Sequence, residues 1–65
     1  EGDMIPKGLF RLLPAPHREV LILTKFIGLG IEETAHKLGI SKSAVKVRVH
    51  RAIRRLEKLM EAEDP

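Results

Sequence analysis

The 65-residue sequence has no cysteine, tryptophan or tyrosine, and Phe10 and Phe26 are its only large aromatic residues. Because cysteine is absent, neither a disulfide framework nor a thiolate zinc site can stabilise this short chain, which must rely on packing. The sequence also shows no signal-peptide pattern and no run of about twenty apolar residues that could span a membrane. We therefore expect a cytoplasmic location, no membrane partner, and no bound cofactor or metal.

Aliphatic residues and good helix formers are plentiful, especially between Glu32 and Glu63. This composition predicts an all-α fold, and the chain length leaves room for a single domain over residues 1–65. Because Glu1 is not a start methionine and the sequence closes with acidic residues, we expect this domain to belong to a longer chain.

Two helices are predicted before residue 28. The first spans Met4 to Leu13, with Asp3 as its candidate N-cap. The Pro14-Ala15-Pro16 segment interrupts it, because proline disfavours helical geometry in the preceding residue, and Pro16 can then begin a second helix that ends at Ile27. Apolar residues at helical spacing are expected to face the core: Ile5, Leu9, Leu12 and Leu13 in the first helix, and Val20, Leu21, Leu23 and Ile27 in the second.

Glycines bound a short third helix from Ile31 to Leu38, since Gly30 precedes it and Gly39 follows it. Ser41 then occupies an N-cap position and predicts a long fourth helix from Lys42 to about Glu61. At about 100° per residue, one arc of the fourth helix is apolar. Its members are Val45, Val49, Ala52, Ile53, Leu56, Leu59 and Met60.

Positive charge is concentrated in this fourth helix. Residues 1–40 hold five basic and five acidic side chains, whereas residues 41–58 hold seven basic side chains and the single acid Glu57. The arc opposite the apolar one carries Ser43, Val47, His50, Arg51, Arg54 and Lys58, and Lys46, Arg48 and Arg55 flank it. Most charge runs only solvate a helix, but here few acids are available for i,i+4 ion pairs.

The third and fourth predicted helices, separated by Gly39-Ile40-Ser41, match the helix-turn-helix pattern, whose second helix enters the major groove of DNA. Residues near the start of that helix usually reach base edges, so the candidates for base contacts are Lys42, Ser43, Lys46, Val47 and His50. Arginines on the flanks or farther along are candidates for phosphate contacts: Arg48, Arg51, Arg54 and Arg55.

Several short segments between Leu9 and Leu59 form a specific combination: Leu13-Pro14, His17-Arg18-Glu19-Val20-Leu21, Glu33-Thr34-Ala35, Leu38-Gly39-Ile40-Ser41, Val45-Lys46, and Arg51-Ala52 with Leu56. Together they resemble the C-terminal domain of bacterial sigma factors, and most of all the extracytoplasmic-function group. The resemblance implies a four-helix domain, sigma region 4, which recognises the −35 promoter element and docks on the flap of the RNA polymerase β subunit.

By this resemblance, six residues fall on positions that face promoter DNA: Lys42, Ser43, Lys46, Val47, His50 and Arg51. Ser43 and Ala44 stand where glycine and threonine are usual in the family, and Thr34 replaces the usual isoleucine. These departures leave the fold unaffected, but the base preference of the family cannot be carried over.

The resemblance also implies a protein partner, either the polymerase flap helix or an anti-sigma factor. Apolar residues beyond the needs of one small core are candidates for its docking groove: Leu9, Phe10, Leu12, Leu23, Phe26 and Leu29. The alternative is that all six fill the core.

Two other functions fit parts of the pattern. The DNA-binding output domain of a LuxR-like regulator shares the four-helix plan, although Leu13-Pro14 and Arg51-Ala52 favour sigma. Alternatively, the segment from Lys42 to Met60 could be a basic amphipathic helix for membranes or acidic proteins, but it lacks interfacial tryptophan and its apolar arc is needed for the core.

Catalysis is not expected. His17, His36 and His50 are predicted on three different helices without a matching carboxylate or thiol pattern, so each is interpreted as a solvated surface histidine. Glu32 and Glu33 are explained by the first turn of the third helix, where acids are favourable.

Overall fold

The computed structural model describes residues 7–63, and side chains over residues 8–61. Its helices, in chain order, are α1 (Lys7–Phe10), α2 (Ala15–Leu21) continuing as a π-helix (Ile22–Ile27), α3 (Ile31–Leu38) and α4 (Lys42–Glu63). Every regular element in this part of the chain is helical, which confirms the predicted all-α, four-helix fold. The predicted cap at Asp3 and the inward position of Ile5 lie outside the described residues.

The first helix ends earlier than predicted. α1 stops at Phe10 rather than at Leu13, and the chain continues in turns in which the Leu12 and Leu13 N–H groups donate to the carbonyls of Leu9 and Phe10 at 3.0 and 3.2 Å. Pro14 accounts for the early end, because it disfavours α-helical geometry at Leu13. Leu12, predicted to face inward, is consequently 59% exposed.

The side chain of Arg18 bonds to the connection between α1 and α2. α2 begins at Ala15 rather than at the second proline, with Pro14 as its N-cap and the Pro14 carbonyl accepting from the Arg18 N–H at 3.0 Å. The guanidinium of Arg18 donates to the carbonyls of Leu13 at 2.9 Å and Arg11 at 3.3 Å. Arg18 therefore satisfies carbonyls that the short α1 leaves without helical partners.

The second half of the predicted second helix is wound as a π-helix, which the apolar spacing did not indicate. Inside it the Thr24 hydroxyl donates to the Val20 carbonyl at 2.7 Å, and at its end the Gly28 N–H donates to the Leu23 carbonyl at 3.0 Å. Its i→i+5 bonds rotate later residues away from the positions expected for an α-helix. The inward orientation predicted for Ile27 is wrong for this reason, and Ile27 is 62% exposed.

The core lies where α1 and α2 pack against α4. Its buried cluster consists of Leu9, Leu13, Val20, Leu21, Ala52 and Leu56, and Phe10, Leu38, Val49 and Leu59 pack against it while partly buried. Ile53 and Met60, both on the predicted apolar arc of α4, are 36% and 46% exposed. The arc is thus wider than the surface that the shorter helices cover.

Thr34 is the one buried polar residue among those described, with no exposed surface. Within the described part of the chain, its hydroxyl oxygen has no hydrogen-bond partner. A buried hydroxyl without a partner costs about 1–3 kcal/mol relative to an apolar group of the same shape.

We therefore expect Thr34→Val to raise the free energy of unfolding by about 1 kcal/mol, because the substitution keeps the branched shape and removes the unpaired hydroxyl. Urea unfolding followed by circular dichroism measures the change. Thr24→Val is the matched control, because the Thr24 hydroxyl has a partner at 2.7 Å and its removal is expected to give no gain. A Thr34→Val chain no more stable than the unchanged one would contradict the assignment.

Candidate nucleic-acid interface

A sharp turn joins α3 to α4. Gly39 has a φ of 70°, in the left-handed region that favours glycine. Its N–H donates to the His36 carbonyl at 3.3 Å, and the Ile40 N–H donates to the Ala35 carbonyl at 3.0 Å. This pair of bonds is a Schellman motif, which satisfies the last carbonyls of α3 and fixes the direction in which the chain leaves it. The turn predicted between the two helices is therefore present.

Ser41 caps the start of α4 in the way the sequence predicted. Its hydroxyl oxygen accepts a hydrogen bond from the Ala44 N–H at 3.0 Å, and its carbonyl accepts one from the Val45 N–H at 3.1 Å. The aligned peptide dipoles give this end of α4 a partial positive charge. The cap thus fixes the start of a helix whose first turn favours anions.

The apolar side of α4 determines which way its charges point. α4 packs against α2 and α3, and Val45 and Ala52 have no exposed surface while Leu56 is 5% exposed. Burying apolar surface is the main favourable term in folding, whereas burying an unpaired cation is prohibitively costly. The basic side chains of α4 are therefore directed to the opposite side.

The exposed side of α4 carries the predicted DNA-binding residues. Those with exposed side chains are Lys42, Ser43, Lys46, Val47, His50, Arg51, Arg54 and Arg55, and Lys58 continues the same side; we call these nine residues the basic ridge. Arg48, also predicted, is half-buried beside the ridge. Glu57 contacts Arg54 with an Nε to Oε1 distance of 3.9 Å, but both side chains are well exposed, so this pair offsets little of the positive charge.

A shallow depression lies between α2 and residues 50–58 of α4. It is lined by His17, His50, Arg51, Arg54, Arg55 and Lys58, and we call it the α2–α4 depression. His17 was interpreted as a solvated surface histidine, but it is half-buried and its Nδ1 atom is buried without a partner in the described residues. The sequence does indicate this burial, because His17 lies one helical turn before Val20 and Leu21, and that spacing puts the three residues on one side of α2.

The six residues predicted for protein docking divide into two groups. Leu9 and Leu23 are 6% and 9% exposed and belong to the interior, whereas Phe10 and Leu29 are half-buried and Leu12 and Phe26 are exposed. The rings of Phe10 and Phe26 meet edge to face, with centroids 5.7 Å apart. The π-helix also exposes Ile22 and Ile27, which the sequence analysis did not include. We call Phe10, Ile22, Phe26 and Ile27 the apolar patch.

Residues 7–63 were compared with two further patterns, a membrane-spanning helix and a group of metal ligands. No helix over this range is both long enough and apolar enough to cross a membrane. Over the same range, no three histidine, cysteine or carboxylate side chains are grouped so that they could hold a metal ion. The α2–α4 depression is lined by arginine and lysine side chains, which repel cations and favour an anion.

A capped helix-turn-helix whose second helix presents a row of exposed cations is the architecture of a DNA-binding domain. Residues 9–56 match the family described as Sigma-70, region 4, and the chain belongs to this family. The resemblance to sigma factors is confirmed, and family membership favours it over the LuxR-like alternative.

The relatives that this chain matches are sigma factors of several bacteria. It is 49% identical over 59 residues to the ECF RNA polymerase sigma factor SigD of Mycobacterium tuberculosis, covering 88% of this chain and 28% of that protein. It is 47% identical over 55 residues to the ECF RNA polymerase sigma factor ShbA of Streptomyces griseus, covering 85% and 29%. With the RNA polymerase sigma factor SigZ of Bacillus subtilis it shares 41% identity over 61 residues, covering 94% and 35%. The chain thus spans about a third of the length of these relatives.

Proposed function

We propose that this chain is the promoter-binding domain of a longer sigma factor and that it recognises the −35 element through α4. The observation that carries the proposal is the basic ridge, whose side chains are exposed on the second helix of a helix-turn-helix. Family membership supports the same function, because the related proteins are RNA polymerase sigma factors. No catalytic role is proposed.

The length of α4 divides the ridge into two functional parts. At about 1.5 Å per residue, His50 lies about 12 Å and Lys58 about 24 Å along the axis from Lys42. Residues near the start of the second helix usually contact base edges, so the part of α4 from Lys42 to His50 can enter the major groove while the later residues lie farther from the bases. We therefore assign base contacts to exposed residues between Lys42 and His50, and phosphate contacts to Arg48 on the flank and to the arginines farther along α4.

Between Lys42 and His50, each exposed side chain has a complementary partner on DNA. Lys42 and Lys46 can donate to the guanine O6 and N7 acceptors, and Ser43 and His50 can donate or accept. Val47 is 46% exposed in the middle of this polar surface, where an apolar side chain can contact a thymine methyl group. Arg48, Arg51, Arg54 and Arg55 are assigned to phosphates, where the guanidinium group binds in a bidentate manner.

We further infer that the apolar patch is the docking surface for a protein partner, either the flap of the RNA polymerase β subunit or an anti-sigma factor. Phe26 and Ile27 are 51% and 62% exposed on the π-helix. Neighbouring exposed apolar side chains on a small domain are typical of a site that binds another protein. An amphipathic helix laid along the patch would cover these side chains.

Selection from a pool of randomised duplexes tests sequence-specific binding. We expect the chain to enrich one short motif, because Lys42 to His50 present several different donor and acceptor groups to the bases. Lys46→Ala is expected to relax the preference at one base pair, with a loss of about 1–3 kcal/mol there. Absence of any enriched motif, or tighter binding to anionic vesicles than to duplex DNA at equal salt, would reject the proposal.

The salt dependence of binding tests the phosphate contacts. We expect Arg51→Ala to make the slope of log affinity against log salt concentration shallower by about one, because one fewer phosphate is neutralised. The matched control is Lys25→Ala, which removes an equal charge from an exposed position on the π-helix, away from the ridge. Equal slopes for Arg51→Ala and the unchanged chain would remove Arg51 from the interface.

Binding of a peptide from the polymerase flap, measured by calorimetry, tests the apolar patch. Truncating Phe26 and Ile27 together to alanine is expected to weaken binding by about tenfold or more, since large apolar side chains dominate such interfaces. Met60→Ala is the control, because Met60 is 46% exposed on α4 outside the patch. Equal losses in the two variants would show that docking does not use the patch.

A further inference from the structure

The α2–α4 depression differs from the rest of the basic ridge because a second helix contributes to it. His50, Arg51, Arg54, Arg55 and Lys58 line it from α4, and His17 lines it from α2. Arg18 and Glu19 follow His17 on α2. Arg18 does not contribute to the depression, because its Nη1 atom donates to the carbonyls of Leu13 and Arg11. The depression therefore combines a concentration of cations with one side chain from outside the helix-turn-helix.

The burial of His17 determines which of its ring atoms can reach a ligand. Nδ1 is buried with no partner in the described residues, while the side chain as a whole is only half-buried. A buried N–H without an acceptor is costly, so Nε2 rather than Nδ1 is the ring atom suited to donate a hydrogen bond. Because His17 lines the α2–α4 depression, Nε2–H is the donor that it offers to a ligand there.

We propose that the α2–α4 depression holds a phosphate group of the DNA backbone, with His17 donating a hydrogen bond from Nε2 and the arginines of α4 supplying the charge. This assignment rests on the proposed DNA binding, and it adds to the interface a residue from α2. A second helix holding the backbone fixes the angle at which α4 lies on DNA, because phosphate contacts set orientation without reading sequence. Phosphate oxygens accept hydrogen bonds from neutral as well as charged donors.

The test measures the affinity of the 65-residue chain and its variants for two duplexes of unrelated sequence by fluorescence anisotropy. His17→Leu removes the donor and is expected to weaken binding to both duplexes by about three- to tenfold. His17→Gln presents an amide N–H near the position of Nε2 and is expected to restore most of the affinity. The control His36→Leu changes an exposed histidine on α3 that does not line the depression, and it is expected to bind normally.

The dependence of binding on salt separates the hydrogen bond of His17 from the charges of the arginines. His17→Leu is expected to keep the salt slope of the unchanged chain, whereas Arg54→Ala is expected to reduce it by about one. Normal affinity of a folded His17→Leu chain, or a loss with only one of the two duplexes, would overturn the phosphate contact. If instead the unchanged chain binds neither duplex, the proposed function itself fails.

Nuclear magnetic resonance of the unchanged chain supplies a readout that needs no variant. The His17 imidazole signals are expected to shift when duplex DNA is added, and to saturate with inorganic phosphate alone only above about 1 mM. Saturation by inorganic phosphate below that concentration would assign the depression to a small free anion and overturn the assignment to the DNA backbone. Unchanged His17 signals on DNA binding would overturn it as well.

Discussion

The packing of α4 against the shorter helices is the constraint on which the candidate interface depends. Val45 and Ala52 lose all of their accessible surface in this contact, and alanine at position 52 lets the helix backbones approach closely. A chain of this size has only one core, so α4 cannot rotate without exposing that seam and burying cations. The apolar contacts of α4 therefore stabilise the fold and also determine where the basic ridge points.

The features predicted correctly from the sequence are those fixed by local chemistry. The bounds of α3, the start of α4 and the turn between them follow from the conformational freedom of Gly39 and the capping hydroxyl of Ser41, which act within a few residues. The exposed side of α4 also follows, because its apolar period is regular over many turns. Most of the basic ridge can therefore be identified from the amino-acid sequence alone.

The features that the sequence did not indicate depend on contacts between distant segments. The π-helix changes the period within the second helix, so the exposure of Ile22 and Ile27 could not follow from α-helical spacing. Pro14 explains why α1 ends early, but the burial of Leu13 and its hydrogen bond from Arg18 depend on how the helices pack. The α2–α4 depression brings His17 beside residues more than thirty positions later, and no local pattern encodes that proximity.

The unbroken length of α4 has a consequence for how the domain meets a polyanion. Lysines and arginines occupy the helix up to Lys58, and only acidic ionisable residues follow in the sequence, beginning with the exposed Glu61. Positive side chains therefore precede negative ones along α4, and the positive end of the helix dipole lies at Ser41. Together they give the domain an electric dipole along this helix. The Debye length is about 8 Å at physiological ionic strength. Within that distance of a DNA duplex, the field of the phosphates favours orientations in which the capped end of α4 faces the DNA. Approaches led by Glu61 and the acids after it are less favourable than approaches led by the capped end, so the order of charges along α4 favours one orientation on DNA.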